Sequence, residues 1–129
     1  PECLGFVRAN CARHGADNVT VVEGSAPAAL ADLPAPDAVF IGGTGGLLRE
    51  ILEHVADRAL PGCRLVLNLA TLEHLAQAQA ALHDLGWTPV IAQVNLAYAE
   101  PIAGLTRLAP ANPVFIVSAV RPAAAGGTQ

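Results

Sequence analysis

Apolar and polar positions recur along this chain in two rhythms, helical and strand-like, and the rhythm switches repeatedly. Cys3, Leu4, Val7, Cys11 and His14 fall at near-helical spacing, which predicts a first helix with Cys3 and Cys11 packing rather than reacting and Gly15 ending it. Residues 19–23 form a short apolar run, predicted as a strand. A short helix is expected around residues 27–33, with Ser25 as its cap and Pro27 in its first turn. Residues 37–41 make a second strand. Leu47, Leu48, Ile51, Leu52 and Val55 lie on one stripe of a helix that stops near Pro61 and Gly62. Residues 63–69 read as a strand buried on both faces. Thr71 is placed to cap a further helix with the stripe Leu72, Leu75, Leu82 and Leu85, ended by Gly86. Alternation over residues 90–97 suits an edge strand. A long loop over residues 98–112 follows, then an apolar strand at 114–120 that pairs antiparallel with the preceding one. The tail, residues 122–129, is expected to fray.

Both early strands run into glycine turns: Gly24, Ser25, Ala26 and Pro27 after the first, Gly42, Gly43, Thr44, Gly45 and Gly46 after the second. In an open α/β sheet, ligands sit beyond the carboxyl ends of the strands, and glycine lets backbone approach them closely. Two such turns point to one shared crevice; the alternative is a pair of ordinary short connections. The 129 residues are enough for one domain with a real core, and 53% are hydrophobic. Net charge is −4, and all seven basic residues are arginines scattered along the chain, so no basic stripe argues for nucleic acid. No apolar run reaches membrane-spanning length and no secretory signal is recognisable. Cys3, Cys11 and Cys63 form neither a disulfide framework nor a zinc knuckle, which fits a cytoplasmic protein with reduced thiols. The four histidines sit apart on helices, and no nucleophile–base spacing supports a hydrolase.

Several stretches carry a more specific likeness. Val21, Val22 and Glu23 running into Gly24-Ser25-Ala26-Pro27, then Leu33-Pro34, then the run from Pro36 to Gly43, resemble the decarboxylating precorrin-6 methyltransferases of cobalamin biosynthesis. The runs from Leu67 to Glu73 and from Glu100 to Arg107, followed by Asn112-Pro113-Val114, match the same family in the same order. The resemblance covers residues 1–121 as a partial methyltransferase domain. It implies an α/β, Rossmann-like class I methyltransferase fold lacking its first two strands, with a parallel sheet ending in an antiparallel hairpin. It implies the strand order third, second, first, fourth, fifth, seventh, sixth, so that residues 19–23 would be separated from 37–41 by two missing strands, roughly 14 Å. Family members carry a first strand, a glycine-rich loop, a helix and a second strand before the helix that opens this chain. The chain opens on Pro1 inside a helical pattern and is therefore expected to be a piece of a longer protein. Glu2 lies within that helix, where it favours the helix dipole rather than holding a ribose.

The resemblance further implies S-adenosylmethionine as methyl donor and a precorrin tetrapyrrole as substrate, methylated at carbon 15 with loss of the ring C acetate carboxylate. Gly24, Ser25 and Ala26 would flank the adenine, and Gly42 and Gly43, with Thr44, would lie near the sulfonium and the reacting carbon. Substrate contacts are expected from Thr44, Asn68, Glu73 and Arg107, because a polycarboxylate calls for an arginine fork. Alternatives remain at each: Thr44 as part of a mere tight turn, Asn68 as a structural hydrogen bonder, Glu73 as a helix-terminus charge, Arg107 as a solvated loop charge; Thr71, beside Asn68 and Glu73, reads as a cap. Arg49 is expected on the wet face of its helix, and Tyr98 and Glu100 share the loop of Arg107. No metal is implied. A homo-oligomer is expected, as is fusion to or partnership with a carbon-5 methylase. Two other classes fit the same sequence: a non-catalytic α/β nucleotide-binding module, and an inactive methyltransferase remnant.

Overall fold

The computed structural model describes residues 2–123. Of the expected tail, residues 124–129 lie outside the described residues, as does the side chain of Glu2. The chain divides into two compact units, one up to Leu33 and one from Pro34 onward.

The first unit opens with helix α1 (Glu2–His14). As expected, Gly15 ends it, at φ 64°, and the Ala16 N–H donates to the Cys11 carbonyl at 2.9 Å. The predicted packing of Cys3 is corrected, for Cys3 and His14 are exposed while Leu4 and Cys11 are half-buried. A stripe that includes cysteine and histidine offers too little apolar area to hold every position down. Residues 19–23 form no strand, which corrects a second expectation. Apolar patterning permits a strand, but only a hydrogen-bonded neighbour makes one. The helix expected around 27–33 shrinks to a single 3-10 turn, Ala28–Leu30. Ser25 is not its cap: Pro27 holds that position, with no side-chain hydrogen bond. Ser25 instead accepts through its backbone carbonyl from the Ala29 N–H at 2.9 Å.

The second unit is a four-stranded sheet with two helices and a separate hairpin. Strand β1 (Ala38–Ile41) leads through helix α2 (Leu48–Arg58) to β2 (Arg64–Leu69), parallel to β1. Helix α3 (Leu72–Asp84) leads on to β3 (Val90–Val94). Strands β4 (Ala97–Ile102) and β5 (Leu105–Pro110) pair only with each other, and β6 (Val114–Val120) inserts antiparallel between β2 and β3. The order β1-β2-β6-β3 is the expected fourth, fifth, seventh, sixth. The loop predicted for 98–112 is corrected: it is the β4–β5 hairpin. Its turn places Ala103 at φ 46° and Gly104 at φ 78°, the two positive values of a type I′ connection. Alanine in the first of these positions, with Pro101 and Pro110 inside the strands, hid the hairpin signal.

The core lies on one face of the sheet. Leu65, Leu67, Leu69, Val117 and Ala119 are buried there with Leu48, Ile51, Leu52 and Val55 of α2 and Ala78, Ala81 and Leu82 of α3. Leu72, assigned to that stripe by spacing, is exposed; it sits in the first turn, just past the end of β2. Trp87 closes the other end of α3, where its N–H donates to the Leu82 carbonyl at 2.8 Å while Gly86, at φ 75°, donates to His83 at 3.0 Å. This is a Schellman ending, with Trp87 and Leu82 both buried.

The opposite face corrects a further expectation, that residues 63–69 are buried on both sides. Arg64 and Asn68 are exposed and Val66 is half-buried; beside them Phe40 is 69% exposed, and Val90 and Val120 are exposed too. Two hollows of about 490 and 480 Å³ lie along this face, each bordered by Arg64 and Val66.

Cys63 lies under the covered face at 1% exposure. Burial, and next the nearby Asp37 carboxylate, push its thiol pKa up against the opposing pull of Arg121 and Arg64, so its reactive thiolate is scarce at neutral pH. A thiol reagent added to native protein should therefore label exposed Cys3 first and Cys63 only on unfolding. Mass mapping of the adducts against denaturant concentration checks this order.

Candidate functional site

Register alone brings several of the expected site residues to one edge of the sheet. Ile41 pairs with Leu67 in parallel, so the turn beginning at Gly42 emerges beside Asn68, at the shared carboxyl end of β1 and β2. Leu69 pairs with Phe115 and Val94 with Val114, so β3 ends and β6 begins on that same edge. The β4–β5 hairpin springs from there, its base closed by the Ala111 N–H donating to the Leu96 carbonyl at 2.8 Å.

In the turn from Gly42 to Gly46, an added Cβ at Gly42 would stand 3.3 Å from Phe40 Cε1, and Gly45 and Gly46 take positive φ, so these glycines answer to the turn itself. The Leu47 N–H donates to the Thr44 carbonyl at 2.9 Å, closing the turn ahead of α2. Leu47 itself occupies the cap position with no side-chain hydrogen bond. A side chain added at Gly43 would meet nothing within 4 Å, and its φ lies outside the positive range. Neither crowding nor conformation within the protein requires glycine at this position, and open backbone of this kind leaves room for a ligand to approach closely. The residues present thus fit a bound methyl donor on this side.

Gly24 is different. Its φ is 140°, and an added Cβ would stand 2.7 Å from the Ala29 Cβ. Its own turn demands a glycine, whatever binds nearby. Ser25 is exposed and Ala26 half-buried. These three belong to the unit that ends at Leu33.

Beyond β2, Thr71 caps α3 as expected, its Oγ1 accepting from the His74 N–H at 3.2 Å. Asn68 and Glu73 are both exposed. Asn68 is therefore not the buried, hydrogen-bonded asparagine that the strand pattern allowed, and it faces outward on the uncovered side of β2. Arg49 is committed elsewhere: its Nη2 donates to Asp84 Oδ2 at 2.7 Å and its Nη1 to Glu53 Oε1 at 3.5 Å. The Asp84 bond, more than any other contact, raises its already high pKa.

Arg107 does not stand in a loop but in β5, directly opposite Glu100 of β4. Its Nη2 donates to Glu100 Oε2 at 3.1 Å. Tyr98, Ile102 and Leu105 share that hairpin face by register, and all three are exposed. Neither of the two hollows on the exposed sheet face contains an expected site residue. Among the described residues, no group of three or more histidine, cysteine or acidic side chains is placed to hold a metal ion. No helix is long and apolar enough to cross a membrane.

Residues 1–121 match the model of the precorrin methyltransferase domain. The chain belongs to that family. It is 37% identical over 118 residues to a probable cobalt-precorrin-6B C(15)-methyltransferase (decarboxylating) of Methanothermobacter thermautotrophicus, covering 91% of this chain and 62% of that protein. It is 40% identical over 114 residues to a precorrin-6Y C(5,15)-methyltransferase [decarboxylating] of Sinorhizobium sp., covering 88% of this chain but 27% of that longer protein. Among solved structures, it superposes on precorrin-6y C5,15-methyltransferase of Geobacter metallireducens GS-15 with TM-score 0.86 and 42% identity, over 94% of this chain and 64% of the other. The fold is thus the α/β methyltransferase fold of this precorrin family. The chain spans about three fifths of the stand-alone relative's length, 62%.

Proposed function

We propose that the protein containing this chain transfers a methyl group to carbon 15 of a precorrin-6-type tetrapyrrole and removes the carboxylate of the ring C acetate. The observation that carries this reading is the family match across residues 1–121, supported by the open backbone at Gly43 at the carboxyl edge of the sheet. S-adenosylmethionine, when bound, supplies an electrophilic methyl carbon on a sulfonium. The turn at Gly42 and Gly43 would hold its reacting end, Gly24, Ser25 and Ala26 would take the adenine, and Thr44 would reach toward the substrate. The chain's part in methyl transfer is alignment: donor and acceptor carbons held in line, with water kept away. In the decarboxylation, the bond from the acetate CH₂ to its carboxyl carbon breaks. The electron pair passes into the conjugated macrocycle, carbon dioxide leaves, and a proton is then taken up.

Recognition falls to Arg107, Asn68 and Glu73, with the arginine binding a peripheral carboxylate of the substrate. The test is incubation of the full-length protein with S-adenosylmethionine and a precorrin-6-type substrate, followed by mass spectrometry. The expected product has gained a methyl group and lost carbon dioxide. An unaltered tetrapyrrole beside a cofactor that binds normally would overturn the substrate assignment, and absence of cofactor binding would overturn the whole reading. Replacing Arg107 with alanine should weaken substrate binding about tenfold, as expected for a lost hydrogen bond to a charged group, while cofactor affinity stays unchanged.

A further inference from the structure

Arg107 and Glu100 are the sole charged residues of the β4–β5 hairpin. They lie directly opposite one another in its register. Both are substantially exposed, at 58% and 49% of their side chains, so a bond of this kind contributes little to stability. Its geometry is more informative than its strength. Glu100 takes one Nη of the guanidinium at 3.1 Å, and among the described residues no other partner occupies the fork. An arginine offers five N–H donors in a rigid plane, so the edge not held by Glu100 can still receive a carboxylate in bidentate fashion. On the same face, Tyr98, Ile102 and Leu105 flank the pair with exposed apolar surface. A long arginine side chain on such a surface loses considerable rotamer freedom when it binds a ligand. A partner that fixes it beforehand removes part of that cost.

We propose that Glu100 is a positioning residue for substrate recognition: it holds Arg107 on the hairpin face with the remainder of its fork directed to an incoming carboxylate of the macrocycle. This rests on the reading of Arg107 given above, and the two are separable by experiment. The opposite possibility is that Glu100 competes with the substrate for Arg107, and it predicts the opposite sign.

The test is a double-mutant cycle in the full-length protein, using Glu100→Gln, Arg107→Ala and the pair. The readouts are binding of an octacarboxylic porphyrin followed by fluorescence, and KM and kcat for turnover. Glu100→Gln keeps the size of the side chain and removes its charge. It should raise the porphyrin Kd and KM about two- to fivefold, the span expected for an exposed ion pair, and leave kcat and cofactor affinity unchanged. In the Arg107→Ala background the same substitution should have no effect. An equal effect in both backgrounds would overturn the positioning role while leaving Arg107 in place. A lower Kd in Glu100→Gln would overturn it in favour of competition. If Arg107→Ala binds porphyrin like the parent, the Arg107 assignment itself fails, and this proposal with it.

Discussion

Gly43→Val should leave the fold intact and sharply weaken binding of S-adenosylmethionine. The structure makes this a clean separation. The position has no neighbour within 4 Å of an added Cβ and no positive φ to strain, so valine costs the protein little. A ligand seated against that backbone would meet an added isopropyl group of three carbons. Overpacking of this kind costs about 1–3 kcal/mol, which is roughly 5- to 150-fold in affinity. Calorimetric titration with the cofactor, beside a thermal melt without it, measures both halves. Normal affinity in a normally folded variant would remove the turn after β1 from the cofactor site.

The two faces of the sheet should respond oppositely to truncation. Leu67 has 0% exposure, at the centre of the covered face. Leu67→Ala should cost about 2–5 kcal/mol, because the transfer energy of the lost methyls is compounded by an unfilled cavity. Denaturant titration at constant m-value reads this loss directly. Phe40 lies in the next strand on the exposed face, so in residues 1–129 taken by themselves Phe40→Ser should leave stability within about 0.5 kcal/mol. Its effect should appear in solution behaviour instead. For residues 1–129 taken by themselves, the exposed row of Phe40, Val66, Val90 and Val120, beside a β1 edge unpaired among the described residues, favours self-association, and Phe40→Ser should reduce it. Sedimentation over a concentration series would show the shift toward monomer. An unchanged distribution would place the sticky surface elsewhere.

Much of the second unit could be read from its residues. Periodicity located α2 and α3 because their apolar stripes meet a sheet within the same stretch of chain, and the Thr71 cap and the Gly86 ending are local chemistry. The strand order followed from the family likeness. What failed had nonlocal causes. Residues 19–23 have the composition of a strand, but strand formation depends on a partner, which composition does not encode. The both-sided burial expected of 63–69 depended on a second cover that periodicity cannot count. The β4–β5 hairpin was missed because Ala103 occupies a turn position that usually announces itself with asparagine, aspartate or glycine. Of the expected site, the turn at Gly42 and Gly43 stood out through its glycines. The pairing of Arg107 with Glu100 did not, because it exists only once the hairpin register is known.

The hairpin meets the rest of its unit through two strands of backbone at a single edge, between Val94 and Val114. The turn at Gly42 and Gly43 belongs to a different connection, fixed by β1 and α2. On the proposed reading, the turn would hold the methyl donor while the hairpin would supply Arg107, one of the substrate contacts, from a separate stretch of sequence. Exchanging residues 97–110 for the corresponding hairpin of a relative should shift the affinity for polycarboxylate tetrapyrroles while the donor site keeps its own. An enzyme arranged in this way can acquire a new acceptor without having to reinvent its donor chemistry.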